Sequence, residues 1–352
     1  MLYNPDMNPA PDAPRISVVI PNYDGAACLE ACLKSLVPQL DGQAEAIVVD
    51  NASRDGSLDV VRRTAPQARI LPQERNLGFA GAVNRGANAA RGEWIAVLNN
   101  DTEVAPDWLA ECHAAIARHP DAAFLACRIL DSGNPGRIYS AGDCFLRAGI
   151  GYRRGQELAD GPAYREEGPV FSACGCAALI RRVVFLEARG YDERFFAYLE
   201  DVDLGLRLQA AGFRGYYIPG ARVFHIGGAT SGGEFAPLAV RLRTRNALLL
   251  LVKSVPAGIL LRSLPMVLAM QISWFGRAVR HGRLGSYLRG LGGAAALAPA
   301  MWRSRRETRP LWRQSGSWLW KSILASENLA RRDFMPQGEP GSRFLAWYFR
   351  WF

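Results

Sequence analysis

Three carboxylates follow an aromatic segment at residues 195–198. Glu200, Asp201 and Asp203 stand where apolar residues begin to recur at helical spacing. Acids at the start of a helix complement its dipole, and Asp203 fits that role because Arg207 follows four positions later. Glu200 and Asp201 come directly after the aromatic residues, and a carboxylate there could accept a proton from a hydroxyl as a general base. We predict that Asp201 is this base.

Four short polar clusters fall at the ends of predicted strands. They are Pro21-Asn22-Tyr23, Asp50-Asn51-Ala52-Ser53, Arg75-Asn76-Leu77-Gly78 and Asn99-Asn100-Asp101. Each cluster alone is typical of a helix cap or a turn, but their shared position favours one nucleotide-binding site. The sequence has neither a GxGxxG motif after its first strand nor a GxxxxGK[ST] loop. Bound phosphates would therefore need another source of positive charge.

A divalent cation, Mg²⁺ or Mn²⁺, would supply that charge, because these ions prefer oxygen ligands and bridge carboxylates to phosphates. Asp101 is the candidate carboxylate, and its alternative role is to cap a helix predicted at residues 106–117. His225 is the second candidate ligand, because a glycine-rich loop with Gly227 and Gly228 follows it and could wrap a diphosphate. From the residues alone, a metal ligand and an ordinary core histidine are equally open for His225.

Alternating strands and helices must position these clusters. Short apolar runs predict strands at residues 16–20, 46–49 and 94–98, and helical spacing predicts helices at residues 28–36, 57–63, 78–90 and 200–211. This alternation predicts a doubly wound α/β sheet with a ligand crevice beyond the carboxyl ends of its strands. Residues 130–170 are rich in glycine and charge, and we interpret them as long loops with a β-ribbon.

Length and charge divide the chain into parts. Its 352 residues exceed one typical domain, and its net charge of +9 is unevenly distributed. Residues 241–352 contain 19 basic and 4 acidic residues, a net charge of +15, whereas residues 1–240 carry −6. We predict a polar extension at residues 1–15, a catalytic domain at residues 16–240, and a basic, amphipathic helical region at residues 241–352.

Cysteine usage and the N-terminus both favour the cytoplasm. The seven cysteines include no CxxC pair and no spacing typical of a zinc site or a disulfide framework. The first residues are polar and rich in proline, without the apolar segment of a signal peptide. We therefore expect the chain to remain in a reducing compartment.

The basic region is also apolar and aromatic. Residues 247–272 are strongly apolar but contain Lys253, Pro256, Arg262 and Pro265, and an arginine in mid-membrane costs about 2.5 to 3.5 kcal/mol. Seven of the nine tryptophans lie in this region, and indole with cationic side chains suits an anionic membrane surface. We predict peripheral or monotopic helices, with a helical subdomain packed on the catalytic domain as the alternative. The basic and aromatic residues are not accompanied by a nucleic-acid recognition motif, and we expect no nucleic-acid partner.

Over residues 16–245 the ordered motifs resemble glycosyltransferase family 2, enzymes with a GT-A fold, and within it the bacterial rhamnosyltransferase-like branch. The motifs that carry the resemblance are Val18-Val19-Ile20-Pro21-Asn22-Tyr23, Val48-Val49-Asp50-Asn51-Ala52-Ser53, Asn76-Leu77-Gly78-Phe79-Ala80, Asn84 with Gly86, Leu98-Asn99-Asn100-Asp101, residues 175–182, Tyr198-Leu199-Glu200-Asp201-Val202-Asp203-Leu204, and His225 with its glycine loop. This order is far more specific than any single motif.

The resemblance implies a role for each matching residue. Asp50 would bind the nucleobase, the stretch from Asn76 to Asn84 would line the nucleotide site, and Asp101 with His225 would bind the metal. Asp201 would be the catalytic base. The remaining donor-site candidates are Pro21, Asn22, Tyr23, Asn51, Ser53, Gly78 and Asn100, and the candidates for contact with the acceptor or the diphosphate are Glu200, Gly175, Gly227 and Gly228.

One motif departs from the family's pattern, because its usual Asp-x-Asp is here Asn99-Asn100-Asp101. A single carboxylate with a histidine and diphosphate oxygens can still complete an octahedral metal site. The implied reaction is inverting transfer of a sugar, with L-rhamnose from dTDP-rhamnose preferred, to a lipid-linked glycan at the cytoplasmic face of the plasma membrane. A UDP-hexose or galactofuranose donor is the enzymatic alternative. The missing acid also leaves open a non-catalytic scaffold that binds nucleotide sugars.

Overall fold

A computed structural model describes residues 13–227, 232–334 and 343–352. The strands are β1 (Ile16–Asn22), β2 (Ala44–Asp50), β3 (Arg69–Pro72), β4 (Trp94–Leu98), β5 (Thr102–Val104), β6 (Ala122–Asp131), β7 (Ile138–Ser140), β8 (Asp143–Leu146), β9 (Ile150–Arg153), β10 (Gly168–Pro169), β11 (Ala177–Arg181) and β12 (Arg214–His225). The helices are α1 (Ala26–Leu36), α2 (Ser57–Thr64), α3 (Gly78–Ala89), α4 (Trp108–Arg118), α5 (Arg182–Glu187), α6 (Glu200–Ala211), α7 (Pro237–Ser254), α8 (Ala257–Arg280), α9 (Leu284–Thr308), α10 (Gly316–Arg331) and α11 (Arg343–Trp351).

Within the described ranges, ten of the strands form one sheet with the order β10-β12-β6-β11-β4-β1-β2-β3, to which β5 and β7 add at β12 and β6. Strands β3, β2, β1 and β4 are parallel neighbours. Strand β11 is antiparallel to both β4 and β6, while β6 and β12 are parallel. The predicted α/β architecture, a mostly parallel sheet flanked by helices, is confirmed.

Helices on both faces explain the apolar run Val18-Val19-Ile20 in the middle of β1. Val18 and Ile20 pack in one core cluster with Leu29 and Leu33 of α1. Val19, between them, points to the opposite face and packs with α3. Because successive side chains of a strand alternate between faces, β1 supplies both cores and is apolar at consecutive positions from Val18 to Ile20. The carboxyl ends of these strands are where the polar clusters begin.

The irregular stretch predicted at residues 130–170 does contain a β-ribbon. Strands β8 and β9 form a two-stranded antiparallel hairpin in which Asp143 is paired with Arg153. The hairpin connects to the catalytic sheet through β7, which is antiparallel to β6. This arrangement brings two charged side chains of the ribbon to the open end of the sheet.

The C-terminal helices pack directly on the sheet domain. Leu249 and Leu250 of α7 share a buried apolar cluster with Phe195, Val202 and Leu206. Helix α7 begins at Pro237, so the division predicted at residue 240 lies inside a helix. The alternative of a packed helical subdomain thus describes this interface. Residues 1–12 of the predicted polar extension lie outside the described residues.

One of the described helices, α8, is long enough and apolar enough to cross a membrane, as judged by length and composition alone. Its inner face is buried at Ile259, Ser263, Met266, Val267 and Ala278. Large apolar side chains lie exposed on the other side of the helix. Helix α8 therefore carries apolar side chains on its exposed side as well as on its packed side.

Candidate active site

A cavity of about 820 Å³ lies beyond the carboxyl ends of β1, β2 and β4. Side chains from widely separated segments meet in its wall. The sequence-predicted residues that line it are Pro21, Asn22, Tyr23, Asn51, Asn76, Gly78, Asn100, Asp101, Gly175, Glu200, Asp201 and His225. The structure therefore brings the candidate base, the candidate metal ligands and most of the candidate donor-site residues into one space.

Amide and carboxylate side chains join the ends of β1, β2 and β4. The Asn22 Nδ2 donates to Asp50 Oδ1 and to Ser53 Oγ, both at 3.1 Å. The Asn100 Nδ2 donates in turn to Asn22 Oδ1 at 2.7 Å. Asp50 is buried, and it and Ser53 lie behind the cavity wall. Their observed contacts orient Asn22 and Asn100, which do face the cavity.

A second set of contacts fixes the start of α3. Asn51 Nδ2 donates to the Gly78 carbonyl at 3.2 Å, and Asn76 Oδ1 accepts from the Gly78 N–H at 2.8 Å. Gly78 has φ of +75°, and a Cβ there would lie 2.4 Å from the carbonyl oxygen of Phe196. Only glycine meets both conditions without strain. The close approach seats α3 against the turn that precedes α6.

Asn84 differs from its prediction. Its Nδ2 donates to the Tyr191 carbonyl at 2.8 Å, and its Oδ1 accepts from the Tyr191 N–H at 2.9 Å. The side chain thus joins α3 to the loop after α5 and lies outside the cavity lining. Gly227 also lies outside the lining, and Gly228 falls outside the described residues.

Asp101 and His225 lie side by side. Strand β5 pairs with the end of β12, with Thr102 opposite His225, and the Ile226 N–H donates to the Asp101 carbonyl at 3.0 Å. His225 Nε2 consequently lies 3.1 Å from Asp101 Oδ1. Asp101 does not cap α4, which begins at Trp108 after Asp107. The sequence had left this capping role open.

The buried imidazole of His225 has an unusual environment. Its ring packs edge-on against Tyr139, with ring centroids 4.3 Å apart. Its Nδ1 is buried and has no hydrogen-bond partner among the residues that the structure describes. Because buried polar atoms are normally paired, this nitrogen is consistent with a site completed by a ligand.

The donor set of Asp101 and His225 fits a hard or borderline divalent cation. Carboxylate oxygen suits both Mg²⁺ and Mn²⁺, and imidazole favours the transition metal. A second group of possible ligand atoms, from Asp143, Cys174 and Asp201, lies within 4.8 Å of one another. That group includes a thiol, which Mg²⁺ and Mn²⁺ disfavour. The Asp101–His225 pair is the better match.

The turn before α6 has strained backbone. Phe196, Tyr198 and Leu199 have φ of 64°, 70° and 68°, a region that costs non-glycine residues about 1 to 3 kcal/mol each. Asn246 of α7 stabilises the turn, because its Nδ2 lies 2.7 to 3.0 Å from the carbonyl oxygens of residues 195, 197 and 198. Strain of this kind concentrates at functional sites, and here it orients Glu200 and Asp201.

Asp201 is held by two backbone donors. Its Oδ2 accepts from the Gly175 N–H at 2.9 Å and its Oδ1 from the Val202 N–H at 2.8 Å. Burial raises the pKa of Asp201 above its ordinary value, and these hydrogen bonds with the Arg153 charge offset part of that increase. The side chain remains partly exposed to the cavity. A carboxylate of raised basicity in a fixed orientation can accept a proton from a hydroxyl.

Glu200 differs from its neighbour. It is buried, and its Oε2 has no hydrogen-bond partner within the described part of the chain. Burial and the nearby Asp201 charge raise the pKa of Glu200 well above its ordinary value. Because Glu200 is buried and unpaired at Oε2 whereas Asp201 is held by two backbone donors, Asp201 is the better candidate for the base.

Sequence reasoning missed several polar residues of the cavity wall. Asp143 and Arg153 come from the β8–β9 hairpin, and Arg243 comes from α7. The Arg153 guanidinium lies 4.1 Å from the centre of the Tyr139 ring. Burial and the Asp201 charge raise the pKa of Asp143 well above its ordinary value. These residues stand in irregular or apolar sequence, where no local signal marks them.

Comparison with known sequences agrees with this geometry. The profile of the family described as Glycosyl transferase family 2 matches residues 17–188. An N-acetylglucosaminyl-diphospho-decaprenol L-rhamnosyltransferase of Mycobacterium tuberculosis is 33% identical over 234 residues, covering 60% of this chain and 75% of that protein. The O-antigen biosynthesis protein RfbC of Myxococcus xanthus is 29% identical over 244 residues, covering 66% of this chain and 19% of that protein.

Solved structures share the fold. GalNAc-T7, crystallised with UDP, GalNAc and Mn²⁺, superposes with a TM-score of 0.63 at 17% identity, covering 91% of this chain and 58% of that chain. The mannosyltransferase PcManGT from Pyrobaculum calidifontis, in complex with GDP-Man and Mn²⁺, gives a TM-score of 0.50 at 18% identity, covering 95% of this chain and 91% of that chain.

The fold and the cavity together define a glycosyltransferase of the GT-A class. The chain belongs to glycosyl transferase family 2. The predicted resemblance, fold and enzyme class are confirmed.

Proposed function

We propose that this enzyme transfers a sugar with inversion from a nucleotide-sugar donor to a hydroxyl of a lipid-linked glycan. The observation that carries the proposal is the presence of Asp101, His225 and Asp201 in the wall of one cavity. These three residues would act on the two substrates of the transfer. Asp201 would face the acceptor, and the Asp101–His225 pair would face the leaving diphosphate.

Asp201 is the proposed general base. Its two backbone hydrogen bonds leave the remaining lone pairs free for an acceptor hydroxyl. As the bond between the donor's anomeric carbon and the diphosphate oxygen breaks, the acceptor oxygen attacks the opposite face and its proton passes to Asp201. Inversion at the anomeric carbon follows from this single displacement.

Asp101 and His225 would hold a divalent cation, with Mn²⁺ preferred over Mg²⁺ because one ligand is an imidazole. When bound, the ion would offset the negative charge of the departing nucleoside diphosphate. Asn22, Asn51 and Asn100 line the same end of the cavity and offer amide groups to the nucleotide. Asp50 and Ser53 would act by orienting Asn22.

The mycobacterial relative supports a specific donor and acceptor. Its name describes L-rhamnose transfer to a sugar on a diphospholipid. We therefore favour L-rhamnose from dTDP-rhamnose as the donor sugar, with a UDP-hexose or galactofuranose donor as the alternative. The proposed acceptor is a glycan joined through a diphosphate to a long-chain lipid.

An acceptor of this kind would be met at a membrane. Helix α8 carries an apolar stripe of side chains that are 42% to 74% exposed: Leu261, Leu264, Leu268, Ile272, Phe275 and Val279. Their spacing of three or four residues places them along one side of the helix. Arg262 lies in the second turn of the helix, and the inner face packs on protein. We propose that α8 lies on the cytoplasmic face of the plasma membrane without spanning it.

Thermal unfolding with a panel of nucleotide sugars tests the proposed donor chemistry. A bound donor stabilises the folded state by mass action, so dTDP-rhamnose with Mn²⁺ should raise the melting temperature more than UDP-glucose or UDP-galactofuranose. EDTA and the variant Asp101→Asn should both remove most of that shift. A larger shift with a UDP-sugar would reassign the donor. A shift insensitive to EDTA and to Asp101→Asn would contradict the metal site.

A non-catalytic scaffold would show the same binding but no turnover. Incubation with dTDP-rhamnose and a diphospholipid-linked N-acetylglucosamine separates the two possibilities. The proposal expects a new lipid-linked disaccharide, detected by mass spectrometry. Donor binding with no product from any sugar of the panel would favour the scaffold.

A further inference from the structure

Two arginines of the cavity wall share one carboxylate. Arg243 Nη1 lies 3.2 Å from Glu234 Oε1, and Arg277 Nη2 lies 2.9 Å from the same oxygen. Arg243 belongs to α7 and Arg277 to α8, and all three side chains line the cavity. Two cations with one anion leave a surplus positive charge. Each side chain is partly exposed, so a ligand can reach the group.

Aromatic rings hold both guanidinium groups in place. The Arg277 guanidinium lies 5.0 Å from the centre of the Phe235 ring and 5.5 Å from that of Trp274. The Arg243 guanidinium lies 5.2 Å from the centre of the Tyr198 ring. Stacking on a ring leaves the edge of a guanidinium free to donate hydrogen bonds. The two guanidinium groups are therefore held in orientations in which they can bind an oxyanion.

Helix α8 connects these cations to an apolar surface. On the side that faces the cavity it contributes Met270, Gln271, Trp274 and Arg277. The exposed stripe that includes Ile272, Phe275 and Val279 runs along the outer side of the same turns. An amphiphile with an anionic headgroup and a hydrocarbon tail could thus bind with its headgroup at Arg277 and its tail along α8.

We propose that Arg243 and Arg277 form the subsite for the diphosphate of the lipid-linked acceptor, and that Glu234 occupies this subsite until the acceptor binds. The inference rests on the proposed function, which supplies a diphospholipid acceptor. Bidentate pairing of guanidinium with phosphate is strong and directional. The carboxylate of Glu234 stands where a phosphate oxygen would bind. The donor diphosphate is assigned instead to the Asp101–His225 pair.

Steady-state kinetics of Arg277→Ala tests the subsite, with Arg280→Ala as the matched control. Arg280 lies one turn further along α8, is exposed, and is not part of the cavity wall. Two acceptors are compared: N-acetylglucosamine on a diphospholipid, and the same sugar on an uncharged alkyl chain. Arg277→Ala should raise KM for the diphospholipid by about tenfold or more, because the variant loses hydrogen bonds between a charged guanidinium and a phosphate. KM for the uncharged acceptor and for the donor should change less than about twofold on the same scale.

Glu234→Gln gives an effect of opposite sign. Removal of the competing charge should lower KM for the diphospholipid and leave KM for the uncharged acceptor unchanged. A rise in donor KM with Arg277→Ala would assign the arginine to the donor, and equal rises for both acceptors would make it structural; either overturns the proposal. If turnover proved independent of Asp201, the proposed function itself would be wrong, whichever result Arg277→Ala gives.

Discussion

The imidazole Nε2 of His225 lies 3.1 Å from the carboxylate Oδ1 of Asp101. The two residues are far apart in the chain, and the short pairing of β5 with β12 brings them together. Neither partner is a catalytic acid or base in the proposed reaction. Their proximity instead forms the end of the cavity that would neutralise a leaving diphosphate.

Substitution of either ligand should weaken the metal site. We expect His225→Ala and Asp101→Asn each to raise the Mn²⁺ concentration for half-maximal activity by more than about tenfold, because loss of even an outer-shell partner costs 10- to 100-fold. Titration of activity with Mn²⁺ at saturating donor measures this. Asp143→Asn is the control from the second ligand group. A shift for Asp143→Asn alone would move the metal to that group.

The pH dependence of kcat/KM should report Asp201. A general base must be ionised, and burial raises the pKa of Asp201 above the usual value for aspartate. Activity should therefore be constant at high pH and fall as the pH decreases through a pKa above about 3.9. Donor affinity, measured by calorimetry over the same range, should not follow that decrease. If donor affinity and turnover decreased equally as the pH fell, the pH dependence would belong to the donor site and not to Asp201.

The buried charges of Asp203 and Lys253 should matter for stability. Lys253 Nζ lies 2.7 Å from Asp203 Oδ2, and Arg207 pairs with the same carboxylate. All three side chains are buried. Asp203→Asn would leave the buried Arg207 without its carboxylate partner and Lys253 with Asp192 alone, so we expect a loss of about 3 to 5 kcal/mol in the free energy of unfolding. Urea denaturation measures it, with the exposed Asp59→Asn as a control that should change nothing.

The carboxylate of Asp203 also determines how stability changes as the pH falls. Burial alone would raise the pKa of Asp203, but Arg207 and Lys253 outweigh it and bring the pKa below the ordinary value. A lowered folded pKa means that the stabilisation is complete above about pH 4 and disappears as the pH falls through the folded pKa. The wild type and Asp203→Asn should therefore converge in stability only at acid pH. A constant difference down to the lowest pH would show that the pair contributes no linkage.

Asn246 should support catalysis from outside the cavity. It is fully buried and spans the carbonyls of the strained turn before Asp201. Asn246→Ala removes these hydrogen bonds, and we expect kcat to fall at least about tenfold as Asp201 loses its orientation. The donor dissociation constant should stay unchanged. Asn88→Ala, an exposed asparagine of α3, is the control, and a change in donor affinity alone would contradict the positioning role.

Much of the sheet could be predicted because its central strands are locally encoded. The predicted strand at residues 94–98 coincides with β4, and the polar clusters after β1 and β4 line the cavity, as does Asn51 after β2. Strand β6 was not predicted. Its sequence, AAFLACRILD, begins with alanines and lacks the β-branched runs that mark β1 and β2. Its place between β11 and β12 is set by tertiary contacts.

Local sequence signals marked two of the cavity's carboxylates. Asp101 follows a strand and Asp201 begins a helix after an aromatic segment, and both line the cavity. Asp143 and Arg153 depend on the pairing of β8 with β9, which no local pattern fixes. Asn84 carried a plausible polar signal, but its amide bonds the backbone of Tyr191. Side-chain direction relative to a distant loop is information that a motif does not contain.

The most direct test of the central claim is the turnover of Asp201→Asn, measured beside donor binding by the same protein. Asparagine keeps the shape of the side chain but cannot accept the acceptor's proton. We expect a fall in kcat of about 10²- to 10⁴-fold or more, with the donor dissociation constant unchanged and the fold intact. Transfer at the wild-type rate by Asp201→Asn would contradict this expectation.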